Sequence, residues 1–385
     1  MVSGRLKLFF VLELVVAIFS TMKVCAQSVS SGNENVRNAR IETGVPFLMI
    51  TPDARAGAMA DAGVAASPDL NSLHVNPSKI AFLQDNAGLS LSYSPWLRHL
   101  TSDMYMAYLS GCYRLDRRNT VGLSLQYFSE GDVELREGPD QITGFYSPRE
   151  VAIDGTLARS FGRFSLATTL RFIYSNLYGN LSGQQVHAGK AFAADISGFY
   201  SNPVRLLGNA GYFAAGVNIS NIGNKIGYTD SGSKQYLPTN LKIGACVTRL
   251  FDSENEISFA IDLNKLLVPT PPLRDSEGGI IKGRDPDRSV PSAIFGSFTD
   301  APDGISEELK EISGSIGVEY LYQHQLALRG GYFYENPEKG NRRFLTLGAG
   351  CRRNPFTLDF CYLLANQEKS PLANVLRFTL TYKIK

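Results

Sequence analysis

Net charge is almost absent from this 385-residue chain: Lys+Arg 38 stand against Asp+Glu 36, a formal balance of +2. Without a basic excess there is no global field to draw nucleic acid, so any charge-driven partner must be read locally. Charged residues make up only 19%, tryptophan occurs once and histidine four times. Past the first 26 residues no apolar run reaches the length of a spanning helix, which excludes a helical membrane protein. Aromatics at 11% and 36 glycines exclude a disordered chain as well. Cysteine is scarce too. Cys112, Cys246, Cys351 and Cys361 lie in strand-like segments without metal-ligand spacing, and Cys351 and Cys361 fall on opposite alternation phases. They are expected to be small strand side chains, not a disulfide.

The N-terminus sets the compartment. Arg5 and Lys7 precede an apolar run from Leu8 to Phe19, and Val24-Cys25-Ala26 supplies small residues before Gln27. This predicts a signal peptide over 1–26. A membrane anchor is the alternative, but the run is short and contains Glu13. A lipoprotein reading of Cys25 lacks the expected residues at Met22-Lys23-Val24.

What fills the rest is alternation. Leu89, Leu91 and Tyr93 alternate with serines; Phe164, Leu166, Leu170, Phe172 and Tyr174 with Ser165, Ala167, Thr169, Arg171 and Ser175. The same period of two recurs at Ile257 to Asn264, Phe356 to Tyr362 and Leu376 to Ile384. It marks strands with one face in an apolar medium, about fourteen of them from residue 87 onward. Short turns at 116–119, 162–163, 252–255, 323–325 and 352–355 alternate with long links at 129–149, 177–189, 221–237, 265–311 and 364–374. A transmembrane antiparallel β-barrel has that rhythm, with short periplasmic turns and long outer loops. The stretch from Pro203 to Asn209 departs from it, being too long for a tight turn. A soluble sandwich also has alternating strands, but no reason to keep its long loops on one side. Lipid offers strands no hydrogen-bond partner, so such a sheet must close. An even strand number brings both barrel ends to the periplasmic side, where the last strand resembles the one read by outer-membrane assembly machinery.

Residues 27–86 do not alternate. Gln27 to Ala39 reads as a flexible polar leader, and Val45 to Lys79 is rich in small residues that permit close backbone packing. Asn76 before Pro77 predicts a helix cap followed by Pro at the first helical position, opening a short helix through Leu83. The segment is expected to fill the lumen as a hatch; a periplasmic cap is the alternative. The domain division is therefore 1–26 signal peptide, 27–86 leader and hatch, and 87–385 barrel.

Thr51-Pro52-Asp53-Ala54-Arg55-Ala56-Gly57, Asp61-Ala62-Gly63-Val64-Ala65 and the Asn76-Pro77 pair, ahead of the alternating segments, resemble the PorV family, outer-membrane proteins of the type IX secretion system with FadL-like architecture. The resemblance implies a non-enzymatic shuttle without a cofactor. It would bind the C-terminal signal domain of exported cargo, taking it from the outer-membrane translocon to a surface sortase-like complex that attaches it to lipopolysaccharide. The hatch motif is then Pro52, Asp53, Arg55, Gly57, Asp61, Gly63, Asn76 and Pro77.

A docking surface belongs on the long loops, of which Lys265 to Glu311 is the longest. Pro269, Pro271, Pro272, Pro286 and Pro291 stiffen it, and Ile294, Phe295 and Phe298 offer anchors; passive disorder is the alternative. Trp96 is a further anchor candidate, or a membrane-interface residue. Two rival functions remain open. A FadL-like transporter of hydrophobic small molecules would need an apolar path, yet the lumen phase carries Arg171, Asp195, Lys242, Asp262, Glu319, Arg329 and Asp359, which could equally hold the hatch. An enzyme such as a lipopolysaccharide deacylase would need a nucleophile with a base in reach, but His74 falls in the hatch, His324 in a short turn, and His99 and His187 in different loops.

Overall fold

The computed structural model describes residues 40–98, 103–138, 141–178, 186–230, 232–365 and 375–384. The expected signal peptide, the leader to Ala39, His99, Lys385 and parts of the loops at 177–189 and 364–374 lie outside them.

The period-two segments become strands β1 (Ala87–Pro95), β2 (Met104–Arg114), β3 (Asn119–Glu130), β4 (Val133–Gly138), β5 (Gln141–Tyr146), β6 (Arg149–Phe161), β7 (Phe164–Asn176), β8 (Gly189–Leu206) and β9 (Asn209–Gly223). They continue with β10 (Asn240–Leu250), β11 (Asn255–Leu266), β12 (Leu273–Arg274), β13 (Ile280–Lys282), β14 (Ser313–Tyr322), β15 (Leu326–Tyr334), β16 (Arg343–Arg353), β17 (Phe356–Ala365) and β18 (Leu376–Ile384). Fourteen of them form one closed barrel, each antiparallel to its neighbours; β4–β5 and β12–β13 are separate hairpins inside long loops. The seam pairs the first strand with the last, from Ala87 opposite Ile384 to Tyr93 opposite Phe378. On its lumen side hydroxyls meet in rungs: Ser90 with Thr381 at 3.0 Å and Ser92 with Thr379 at 2.8 Å.

The greasy stripes face outward. Leu89 and Leu91 are 54% and 53% exposed, whereas Ser90 and Ser92 between them are 1% exposed. That excludes burial of the stripes against a second sheet, and it is the arrangement a wall in hydrocarbon requires.

Short turns gather at one end. Asp116 and Asp252 build two of them alike: Asp116 Oδ1 accepts from the amides of Arg118 (2.7 Å) and Asn119 (2.9 Å), and Asp252 Oδ1 from those of Glu254 and Asn255 (both 2.8 Å). The Asn119 side chain first, then these amides, hold the Asp116 carboxyl below its ordinary range.

The Pro203–Asn209 expectation is corrected. Strand β8 runs through Pro203 to Leu206, and the connection is only Leu207-Gly208, with φ of 49° and 86°. Two successive positive φ values match the right-handed twist of a two-residue hairpin. Proline is tolerated because β8 has outrun β7 there; the last bond across is Ser201 N to Arg163 O at 2.9 Å, so the missing N–H disturbs no rung on that side. With this turn restored, long and short connections alternate without exception among the described strands.

The segment before β1 lies inside the barrel as a small hatch. Around the circumference, Gln126 Nε2 of β3 donates to Phe47 O at 3.0 Å and Ser165 Oγ of β7 to Ser78 O at 2.8 Å. Asn218 Nδ2 of β9 donates to Val75 O (3.0 Å), and Thr346 Oγ1 of β16 to Ala58 O (2.8 Å). Glycines in the wall give the hatch its room. A Cβ at Gly331 would stand 2.4 Å from the Met59 carbonyl carbon, and one at Gly348 would stand 2.4 Å from Ala58 Cβ.

Candidate functional site

Two constructions involve the residues that the sequence singles out: the hatch inside the barrel and the loops above it.

In the hatch, Asp53 caps the helix Ala54–Ala58, its Oδ2 accepting from Ala56 N at 2.8 Å, while Ala54 N donates to Thr379 Oγ1 at 2.8 Å. Pro52 and Gly57 are buried beside it, and Asp61 stands 3.8 Å from Arg377 Nη1. Arg55 reaches the wall. Its Nε and Nη2 donate to Glu319 at 3.0 and 2.7 Å, and its Nη1 to Asp69 at 2.8 Å. Glu319 also accepts from Arg329 Nε at 2.6 Å, and Arg329 Nη1 donates to Asp359 at 2.7 Å. The chain Asp69–Arg55–Glu319–Arg329–Asp359 therefore alternates in sign and crosses from hatch to wall.

Two further contacts complete the fastening. Asp262 Oδ2 takes the amides of Gly63 and Val64 at 2.7 and 2.9 Å. Asn76, with no exposed surface, donates from Nδ2 to Val64 O (2.9 Å) and to Gly198 O of β8 (3.1 Å), while its Oδ1 accepts from Ser78. Pro77 then opens a 3₁₀ turn, Pro77–Phe82. Of the other lumen charges, Arg171 pairs with Asp154 at 2.7 Å and Asp195 at 3.1 Å, bracing β6, β7 and β8. Lys242 lines a cavity of about 110 Å³ between hatch and wall, together with Asp61, Glu311, Glu335 and Arg342.

At the long-loop end, residues 265–311 form an ordered structure. The helix Ile305–Lys310 turns its acids inward. Lys265 Nζ binds Glu308 at 2.8 Å and Glu311 at 2.7 Å, and Lys339 Nζ binds Glu307 at 2.6 Å and Glu311 at 2.9 Å. These five side chains are each 8% exposed or less. The opposite side of the same helix presents Ile305 at 79% and Leu309 at 63% exposure. In the preceding helix, Val290–Gly296, Ala293 is fully buried, Ile294 half-buried and Phe295 79% exposed; Phe298 just beyond is 46% exposed. Lys225 ties the neighbouring loop to this one through Asp287 at 2.8 Å. Charge thus fixes the loop from below and leaves apolar side chains above, an arrangement suited to docking another protein.

Trp96 is not among the outward-facing side chains. It is 7% exposed, in the cluster with Val45, Phe47 and Leu48, and meets Phe128 edge-on at 6.1 Å. Its expected place as an exposed anchor or membrane-interface residue is therefore corrected: the ring packs inward against the hatch, where its area counts as core. His74 meets Tyr108 edge-on at 6.0 Å in the hatch, and His187 lies 3.3 Å from Asp230 among the long loops.

Sequence reasoning missed the acids Glu307, Glu308 and Glu311 and their partners Lys265 and Lys339, because the pairing joins segments that pattern alone does not connect. The wall glycines were within reach, since a glycine inside a strand marks close backbone approach.

The family model described as Type IX secretion system protein PorV matches residues 33–273. Among solved structures, the Pseudomonas putida toluene transporter TodX is similar at a TM-score of 0.50 and 14% identity, covering 86% of this chain and 96% of its own. A second structure of that transporter gives 0.51 and 12% over 86% and 98%. A Pseudomonas aeruginosa FadL homologue gives 0.43 and 11% over 87% and 99%. No curated protein matches significantly. At such identities the two toluene-transporter structures show a shared barrel fold with this chain and nothing further.

Proposed function

Because the chain belongs to the PorV family of type IX secretion proteins, we propose that it is the outer-membrane shuttle which binds the C-terminal signal domain of exported cargo. It receives that cargo from the translocon and delivers it to a sortase-like surface complex for attachment to lipopolysaccharide. On this reading the short turns face the periplasm and the long loops the exterior, as in single-chain outer-membrane barrels.

The observation that carries the reading is the loop 265–311, held from beneath by Lys265 and Lys339 with Phe295, Phe298, Ile305 and Leu309 left outward. A loop so fixed loses little freedom when a partner docks on it. The charged groups beside the hatch lean the same way: its cavity carries Asp61, Lys242, Glu335 and Arg342, alongside the apolar Ile41, Met49, Leu266 and Phe333, so it offers no purely apolar path. The transporter alternative rests on shared fold alone. An enzymatic role finds little support, since His74 and His187 stand in separate constructions, one packed in the hatch and one at the loops.

Pull-down from detergent extracts tests the proposal. Cargo still carrying its C-terminal domain should come down with the intact chain and less with one trimmed over 270–305. Equal capture by the trimmed chain sinks this loop as the dock. Loss of fatty-acid uptake on deletion, with surface cargo retained, would favour the transporter.

A further inference from the structure

The short-turn rim carries a feature that neither the hatch nor the long loops require. Strands β6 and β10 end alike at this rim. On β6 the outward face reads Ile153, Leu157, Arg159, Phe161; on β10 it reads Ile243, Val247, Arg249, Phe251, with the phenylalanine just past the strand. In each, the guanidinium lies over the ring that follows, at 5.6 Å for Arg159 on Phe161 and 4.7 Å for Arg249 on Phe251. The rings are 53% and 44% exposed.

Cations gather around the first of these. Arg118 is fixed by Ser160, whose N donates to its carbonyl at 2.8 Å, and Arg163 follows Phe161 by two residues; both side chains are exposed. Arg249 Nε is buried with no hydrogen-bond partner among the described residues. Acids stand among these cations: Asp116, which accepts bonds from its own turn, also feels the charge of Arg159, and Asp252 and Glu254 share the turn after Arg249. Around Phe161 the cations Arg117, Arg118, Arg159 and Arg163 nevertheless outnumber the one acid, Asp116.

We propose that this arc binds the phosphate groups of anionic phospholipids in the membrane leaflet on the short-turn side. The membrane depth argues for lipid over a soluble acidic protein. Arg159 lies opposite Leu166 and Arg249 opposite Ile257 on the same outward face, so each guanidinium stands where the hydrocarbon-facing band ends. Phosphates of a bilayer lie at that level. An arginine stacked on an aromatic ring keeps its remaining N–H groups free for paired bonds to phosphate oxygens. The inference rests on the membrane orientation given above but not on cargo capture.

The full chain in neutral detergent, titrated with phosphatidylglycerol or phosphatidylcholine and read by native mass spectrometry, tests it. Phosphatidylglycerol should be retained preferentially, and Arg159→Gln and Arg249→Gln should each weaken that retention by about fivefold. Arg274→Gln at the opposite end should leave it unchanged, and heat-modifiable gel mobility should report intact barrels for all variants. Equal retention of both lipids, or preference surviving in the double variant, overturns the proposal. So does displacement of the lipid by inorganic phosphate at equal concentration, or arginine-dependent binding of polyglutamate without any lipid preference. Cargo capture by the double variant should match the parent, which separates this test from that of the shuttle.

Discussion

Arg55 in the hatch and Glu319 on β14 meet through two hydrogen bonds, at 2.7 and 3.0 Å, although 264 positions separate them in the chain. Both side chains are nearly sealed from solvent, 8% and 4% exposed. Burial of this kind makes the pair sensitive to loss of either partner, because the survivor is left charged in a poor dielectric.

Arg55→Ala is accordingly expected to lower stability by about 3–5 kcal/mol. Arg55→Lys, which keeps the charge but not the two-point geometry, should fall between. Thermal unfolding in detergent, followed by gel mobility, checks both; an unchanged midpoint for Arg55→Ala would remove the clamp from the account.

Gly331→Val should cost about 1–3 kcal/mol, since backbone atoms of Met59 and Ala60 occupy the space its side chain needs. The hatch would have to lift, so protease cleavage within residues 45–83 should speed up while the wall strands stay protected. Cleavage at the parental rate counts against close seating at this point.

Trp96→Ala should behave as a core truncation, losing about 3–5 kcal/mol of stability. Molecules that still fold should capture cargo as well as the parent does. A variant of normal stability that fails in pull-down would return Trp96 to the docking surface.

Lys339→Ala leaves Glu307 and Glu311 with fewer positive partners beneath the helix Ile305–Lys310. Loop 265–311 should become a protease target and cargo recovery should drop, with the barrel's own melting little altered. A loop as resistant as before would show that Lys265 holds it alone.

Phe295→Ser and Phe298→Ser remove exposed rings; the first should leave stability within about 0.5 kcal/mol, and the second, whose ring lies 5.9 Å from Lys265 Nζ, should give up a cation–π contact of about 0.5–1 kcal/mol. Where these rings anchor cargo, capture should fall by about tenfold or more, the range of interface hot spots. Undiminished capture by the double variant would move the dock to another loop.

The wall was legible because lipid on one side and a polar lumen on the other write their difference into every second residue, as at Leu89 to Tyr93. Asn76-Pro77 was legible for a local reason, its cap bond spanning two residues. Pro203 misled because a proline reads as a strand breaker unless one knows that β8 has outrun its neighbour. Trp96 misled because its position after β1 does not say which way the chain folds back; Trp96 N bonds to Met104 O at 2.9 Å and the ring turns in. The clamp partners of Arg55 and Lys339 lie far off in sequence, and no periodicity encodes such meetings.

The seam between Ala87–Tyr93 and Phe378–Ile384 joins the earliest wall strand to the latest one made. The hatch comes earlier still in the chain and touches walls from β1 and β2 to β18. A cylinder that zipped shut empty would have to be stoppered afterwards through one of its mouths, with buried ions such as Arg55 dragged past Gly331 and Gly348. Staves raised around the stopper, with the final stave locking it in, would avoid that passage.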